Sequence, residues 1–292
     1  MPLYERRFAC VGDAINESVT SLLRAACERR GVAYTEVPAA TFAFDPATRL
    51  GPGDLMYRPA ASTAALRVEQ FLYGPGVGTF YRGDDDRPFF VGITQPFMFE
   101  RAGLCVPPTI YCGSADRALL ATWAERLGGY PLLAKMGGQG GRGVVILESY
   151  RALCSFVDHA LQLRHEPMLT AFIENARHWR VMVVGERAVA AYRCKAEPGD
   201  FRACTPDDAF TTEPPLPVGA IAIAAVRATR LEFGGVDVLE CDDRCYVLES
   251  NFPCYFPHAE LLAGIDVSGA MVEHLIRKAD ARAAAHHTLM RP

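Results

Sequence analysis

Two segments constrain the fold of this chain more than any others. "HWRVMVVGERAVAAYRCKA" (178–196) and "GGVDVLECDDRCYVLESN" (234–251) each read as strand, turn, strand. Their residues alternate or run apolar, and Gly185-Glu186 and Asp242-Asp243 have the turn chemistry of tight hairpins. "IAIAAVRATRLEF" (221–233) lies between them and reads as a helix. Hairpin, helix, hairpin predicts an antiparallel sheet with helical cover in the C-terminal part of the chain. "DVSGAMVEHLIRKADARAAA" predicts a last helix, with Asp266 or Ser268 near its N-cap.

The N-terminal part follows another rule. "RRFACVGD", "VAYTEV" and "GDLMYRP" read as strands. Glu17 to Arg30 has helical spacing at Val19, Leu22, Leu23 and Ala26, with Gly31 as its stop, and "STAALRVEQFL" is a second helix capped by Ser62. Alternating strands and helices predict a small parallel sheet. Between the two parts come a short helix "PFMFERAG", a linker "LCVPPT" and a helix over 115–128. The strands "YPLLAKM" and "GVVILES" and the helix "YRALCSFVDHALQL" follow. The expected fold class is therefore α/β (α+β). Residues 1–90 form an N-terminal α/β domain, 91–169 a linker helix and lid subdomain, and 170–292 an antiparallel C-terminal subdomain.

Composition narrows the function. Half of the 292 residues are apolar and the net charge is −4, which gives no general attraction to nucleic acid or anionic membrane. No apolar run approaches the ~18 residues of a membrane span, and the start lacks the apolar core of a signal peptide. The ten cysteines form no CxxC pair, so they read as reduced thiols of a cytoplasmic protein. Of thirty basic residues only Lys135, Lys195 and Lys278 are lysine. Against such an arginine bias, a retained lysine marks a place that needs a compact ammonium.

Three constellations carry chemistry. In "PLLAKMGGQGGRGVVIL" Lys135 precedes Gly137, Gly138, Gly140, Gly141 and Gly143. Backbone N–H groups of such a loop can cradle phosphate, with the lysine reaching the same anion; the bland alternative is a hairpin tip with a surface lysine. The familiar phosphate loop has its lysine after the glycines, followed by Ser or Thr, which is absent here. Next, Glu249 and Asn251 lie at i and i+2 of one strand and share a face, and Asp237 sits on the partner strand. Two carboxylates and an amide oxygen suit Mg2+; the alternative is a polar, exposed sheet face. Finally, Arg180 and Arg193 lie on the two strands around Gly185, and Arg202 follows; they are clamps for oxyanions or else surface charges.

The order of these pieces resembles the ATP-grasp superfamily, most closely the RimK-like carboxylate–amine ligases. "AKMGGQGGRGVVILES", "WRVMVVGERAVAAYR", "AEPGDFRA" and "VDVLE…YVLESN" carry the resemblance over about residues 90 to 275, and Arg58 in "GDLMYRP" gives a fainter echo. It implies an ATP-grasp fold in which Lys135 and the loop glycines Gly140, Gly141 and Gly143 contact ATP phosphates. Ala171, Phe172, Ile173 and Glu174 in the hinge "TAFIE" would hold adenine and ribose, with His178 a further contact. Asp237, Glu249 and Asn251 would hold two Mg2+ ions, or Mn2+, while Arg180, Arg193 and Arg202 would act on phosphate and acyl intermediate. The implied activity joins a small-molecule or peptide carboxylate to an amine through an acyl phosphate. A peptide-modifying cyclase and a non-catalytic nucleotide-binding module are the alternatives, and homo-oligomerisation stays open. The chain departs from its relatives in four ways. No lysine stands in "FFVGITQPFMFERAG", His178 replaces an acid, Cys204 replaces an asparagine, and "NFPCYFPH" follows the metal strand. Phe252, Tyr255 and Phe256 are expected to reshape the pocket beside the metals.

Overall fold

The computed structural model describes residues 5–83, 95–136 and 143–289. Asp84-Asp85-Asp86, an acidic run that reads as a solvated loop with metal binding as the alternative, and Gly137, Gly138, Gly140 and Gly141 lie outside them.

Three sheets organise the described residues. The first is parallel, in the order β2 (Ala33–Val37), β1 (Arg7–Val11), β3 (Leu55–Tyr57). Helix α1 (Glu17–Glu28) begins where the Asn16 side chain accepts a hydrogen bond from the Ser18 N–H, and it buries Val19, Leu23, Ala26 and Cys27. Helix α2 (Thr63–Leu72) is capped by Ser62, as its sequence predicts.

Helix α3 (Gln95–Arg101) precedes the second sheet, which is antiparallel: β4 (Thr109–Tyr111), β7 (Met168–Ala171), β5 (Leu132–Lys135), β6 (Val144–Leu147). Helices α4 (Arg117–Arg126) and α5 (Tyr150–Gln162) cover it through Leu120, Ala124, Leu153 and Val157. The "LCVPPT" linker thus runs straight into a strand that the sequence reading missed; three residues are too few to show a period.

The third sheet has the order β10 (Ala203–Thr211), β9 (Arg187–Ala196), β8 (Arg177–Val184), β11 (Phe233–Cys241), β12 (Arg244–Asn251). Strand β10 was also missed, because "TPDDAF" is polar and holds a proline. Helix α6 (Leu216–Ala228) covers one face of the sheet with Val218, Ala222, Ala225 and Val226. Helices α7 (Pro257–Ala263) and α8 (Val267–Leu289), together with β3 and α1, cover only part of the other face. Of the two candidate caps for α8, Asp266 accepts the Gly269 N–H at 2.9 Å, while the Ser268 hydroxyl donates to Glu260 at 2.7 Å. No helix among the described residues is long and apolar enough to cross a membrane.

An aromatic cluster welds the parallel sheet to the third sheet. Tyr57, Phe80, Phe233 and Phe252 pack with ring centroids 5.0–6.5 Å apart, and Phe256 joins through Phe233. Phe256 is fully buried. Phe256 therefore belongs to the core and does not line a pocket, contrary to the expectation from sequence, while Phe252 packs on the same cluster but stays half-buried. Tyr255 is the exposed one of the three.

Beside this cluster Arg58 is buried in an ion pair. Its Nε donates to Glu69 Oε2 at 2.9 Å, and the Tyr81 hydroxyl donates to the same carboxylate at 3.0 Å. Arg58 thus locks β3 to α2. Glu69→Ala strands a buried guanidinium, so denaturant unfolding should show a loss of about 3–5 kcal/mol; a loss within the roughly 1 kcal/mol of an exposed pair would contradict this role.

Candidate functional site

Two irregularities in the third sheet decide which side chains share its open face. The β11–β12 hairpin pairs Cys241 with Arg244 and stays in step to Val238 and Val247, but Asp237 pairs with Glu249. Leu248 is the extra residue of a bulge. In an unbroken ladder Glu249 would fall on the face of Val236, against α6. The bulge keeps Val247 in that core and turns Glu249 to the open face beside Asp237. A second shift lies between Met182 and Val183 on β8, where Met182 pairs with Ala190 and Val183 with Ala188. It brings Tyr192 opposite Arg180 and sends Arg193 opposite Trp179.

Asp237 and Arg180 face each other at the sheet centre, with Arg180 Nε 3.2 Å from Asp237 Oδ1. Arg180 Nη1 also donates to the Gly235 carbonyl at 3.2 Å. A Cβ on Gly235 would stand 3.2 Å from that nitrogen and 3.0 Å from Cys254 Cβ, so a side chain here would crowd the guanidinium. His178 shares the face, its Nε2 3.3 Å from Asp237 Oδ1. Burial alone would raise the Asp237 carboxyl, yet Arg180 and His178 hold it below the usual carboxylate range. Glu249 goes the other way: burial and the Asp237 carboxylate push it up, opposed by Asn251. The Asn251 Nδ2 donates to Glu249 Oε1 at 2.7 Å and lies 3.5 Å from Asp237 Oδ2. These three residues converge as their spacing predicts.

Lys135 comes to the same place from the second sheet, at the end of β5 before the glycine loop. Burial pulls its ammonium below the ordinary lysine range, against the opposing pull of Glu249 and Asp237. Gly143 closes the base of the loop, at φ +81° and with its carbonyl accepting the Met136 N–H at 3.0 Å. Between the sheets a narrow cleft of about 10 Å³ is lined by Val106, Pro107, Lys135, Met168, Thr170 and Leu248, among others. That is room for roughly one water, so a nucleotide base needs the sheets to part.

The hinge "TAFIE" takes in the last two residues of β7 and the first three of the short span to β8, which joins the two sheets. The Ala171 N–H is committed to the Pro108 carbonyl at 2.9 Å and is not free to read a base. Phe172 and Ile173 are half-buried and Glu174 is exposed, its carbonyl accepting a 3.5 Å hydrogen bond from Cys241 Sγ.

Two expected arginines stand apart. Arg193 lies on the α6 side of the sheet, 3.2 Å from Asp207, because the β8–β9 irregularity reverses its parity. It cannot share a ligand with Arg180. The Arg202 guanidinium forks onto Asp200 with hydrogen bonds of 2.5–3.0 Å and draws the Asp200 carboxyl down to about 2. Two residues absent from the sequence reading belong here. Tyr192 occupies the face that Arg193 was expected to share. Gln95 on α3 clips the edge strand between the two site residues: its Nε2 donates to the Ser250 carbonyl at 2.7 Å, and its Oε1 accepts the Ser250 N–H at 2.9 Å. "ITQPF" gives no periodic hint of this clip.

Among the described residues no group of three or more His, Cys, Asp or Glu gathers as a metal centre. The triad supplies two carboxylates and one amide. Its chemistry fits a hard cation: two carboxylates converge beside an amide, and a cation between them would offset the burial and the mutual repulsion that raise Glu249. The Asn251 amide nitrogen already presents a positive pole to both acids; to give its oxygen instead the amide must turn over.

Comparison with known proteins places this geometry. Residues 113–275 match the RimK-like ATP-grasp domain. A probable alpha-L-glutamate ligase of Legionella pneumophila (strain Corby) is 27% identical over 194 residues, which span 65% of this chain and 64% of that protein. The match thus covers less than two thirds of the relative. The fold matches the ATP-grasp ligase PsnB complexed with minimal precursor, with a TM-score of 0.70 and 17% identity over 94% of this chain and 100% of that one. It also matches the D-alanine–D-alanine ligase of Bacillus anthracis, with a TM-score of 0.61 and 14% identity over 97% and 99%. The fold is that of ATP-grasp ligases, and the chain belongs to the RimK-like ATP-grasp family.

Proposed function

We propose that this protein is an ATP-dependent ligase that activates a carboxylate as an acyl phosphate and couples it to an amine. The observation that carries this reading is the meeting of Lys135 from one sheet with Asp237 and Glu249 from another, in a cleft that a hinge can open. An ammonium facing two acids is the arrangement that a polyphosphate with its cation would bridge. The family's PsnB has been seen with a minimal precursor, Mg and ADP, which supports ATP and Mg2+ as ligands here.

In this reading Lys135 holds nucleotide phosphates, and Asp237, Glu249 and Asn251 would hold Mg2+, taken here as two ions. Bound there, the cation neutralises phosphate charge and polarises the transferring group. Arg180 stays charged beside Asp237 and offers its remaining N–H groups to the acyl oxygens. The substrate carboxylate oxygen bonds to the γ-phosphorus, and the bond from that phosphorus to the bridging oxygen breaks, releasing ADP. The amine then attacks the acyl carbon. A C–N bond forms, the C–O bond to phosphate breaks, phosphate leaves with the electron pair, and the amine's proton passes to solvent. Closure of the β5–β6 sheet over the site excludes water that would hydrolyse the acyl phosphate. His178 flanks the substrate side in this reading, Arg202 would join it only on leaving Asp200, and Arg193 has no part in it.

Glu249→Gln removes a full ligand charge, so acid- and amine-dependent ADP release should fall by about a hundredfold; near-wild-type release would place the cation elsewhere. Gln95→Ala frees β12 between Glu249 and Asn251. The Mg2+ concentration for half-maximal rate should rise by roughly tenfold, whereas an unaltered Mg2+ dependence would make the clip merely structural.

A further inference from the structure

Asn251 is the last residue of the edge strand β12, and its neighbour across the ladder is Gly235, which offers no side chain to pack on it. Its amide nevertheless has to face Asp237 and Glu249 closely. The next residue in the chain supplies an anchor. The Phe252 ring stands edge-on to Tyr81 at 5.8 Å, Tyr57 at 6.0 Å, Phe233 at 6.4 Å and Phe80 at 6.5 Å. The Arg58 guanidinium lies over the same ring, 6.0 Å from its centroid. Arg58 is itself fixed. Besides pairing with Glu69 it donates to the Ala60 carbonyl, and its Nη2 donates to the Tyr81 hydroxyl at 3.5 Å. Arg58, Glu69 and Tyr81 are only 3%, 4% and 3% exposed, so this network has no solvent to relax into. Burial works against the guanidinium charge, but Glu69 and Tyr81 raise its proton affinity and keep it a cation beside the ring.

An ion pair that only ties α2 to β3 needs no particular ring beside it. This one stands against the side chain that directly follows a proposed cation ligand. A planar guanidinium on an aromatic face places the ring more closely than apolar contact alone. A metal ligand, in turn, depends on the groups behind it for its orientation. We infer that Arg58 and Phe252 are positioning residues of the proposed cation site. Arg58 sets the Phe252 ring, and the ring sets the end of β12 so that the Asn251 amide addresses the two acids. The parallel sheet thereby takes part in cation binding without touching the cation. The inference rests on the ligase reading, and within it on the Asp237, Glu249 and Asn251 site.

Calorimetric titration of ADP over a series of Mg2+ concentrations tests this without any turnover. Phe252→Leu keeps an apolar side chain and removes the aromatic face. Arg58→Lys keeps a cation beside Glu69 and removes the planar fork, so it carries the test even where Phe252→Leu fails to fold. ADP binding without Mg2+ should stay within about twofold of wild type in both variants, while the Mg2+ concentration for half of the tightening should rise about tenfold in Phe252→Leu and about threefold in Arg58→Lys. Phe252→Tyr, which keeps the face, should restore the wild-type Mg2+ dependence. A purely structural role would lower the denaturant midpoint of the variants and leave their Mg2+ dependence alone. That result, or ADP binding weakened equally with and without Mg2+, overturns the positioning role and leaves the ligase reading standing on the wild-type Mg2+ effect. Wild-type ADP binding that ignores Mg2+ overturns the cation site, and this inference with it.

Discussion

The site depends on one contact, the approach of the Arg180 guanidinium to the Asp237 carboxylate at the centre of the third sheet. Asp237 is 6% exposed, and a carboxylate so buried stays ionised only beside a cation. Arg180 needs the room that Gly235 leaves and the carbonyl that Gly235 offers. With that pair fixed, a second acid can be brought up against Asp237. Glu249 is that acid, and burial together with the Asp237 carboxylate raises its proton affinity. In the proposed ligase a divalent cation with its polyphosphate would relieve the repulsion between the two acids.

The polar constellation was legible in the sequence because its members are chemically out of place. Asp237, Glu249 and Asn251 interrupt apolar strands, and Lys135 is a rare lysine in an arginine-rich chain. Lys278 supports that last reading: its ammonium reaches both the Tyr81 carbonyl and Glu232, a task for a point charge. Parity across a bulge was not legible. Counting from the turn at Gly185-Glu186 puts Arg180 and Arg193 on one face, and one inserted residue on β9 undoes this. The bulge at Leu248 acted in the opposite sense and rescued the expectation for Glu249. A strand pattern records which residues are apolar; it does not record where a ladder slips by one. The aromatic run after Asn251 misled for a related reason, since large apolar side chains fill a core as readily as a pocket.

The two faces of the third sheet divide the work. Helix α6 seals one side completely enough that Arg193 and Glu240 project only at its margin. The other side is half covered by α7, α8 and the parallel sheet, and the remaining half meets the β4–β7–β5–β6 sheet across a cleft with little free volume. The short connection from Phe172 to Ala176 joins the sheets, and the 102–108 segment, whose Cys105 carbonyl accepts the Val247 N–H at 2.9 Å, is a second crossing. In the proposed ligase the sheets would part to admit a nucleotide, with Lys135 on one and the acids and Arg180 on the other.

That account stands or falls on whether Lys135 and the acids grip the same molecule. Calorimetric titration of ADP into the wild-type protein and Lys135→Ala, with and without Mg2+, measures it directly. A charged hydrogen bond lost from the phosphates is worth about 1.5–3 kcal/mol, so the variant should bind ADP roughly tenfold to a hundredfold more weakly, and Mg2+ should tighten binding to the wild type. ADP affinity that neither the substitution nor Mg2+ alters would contradict it.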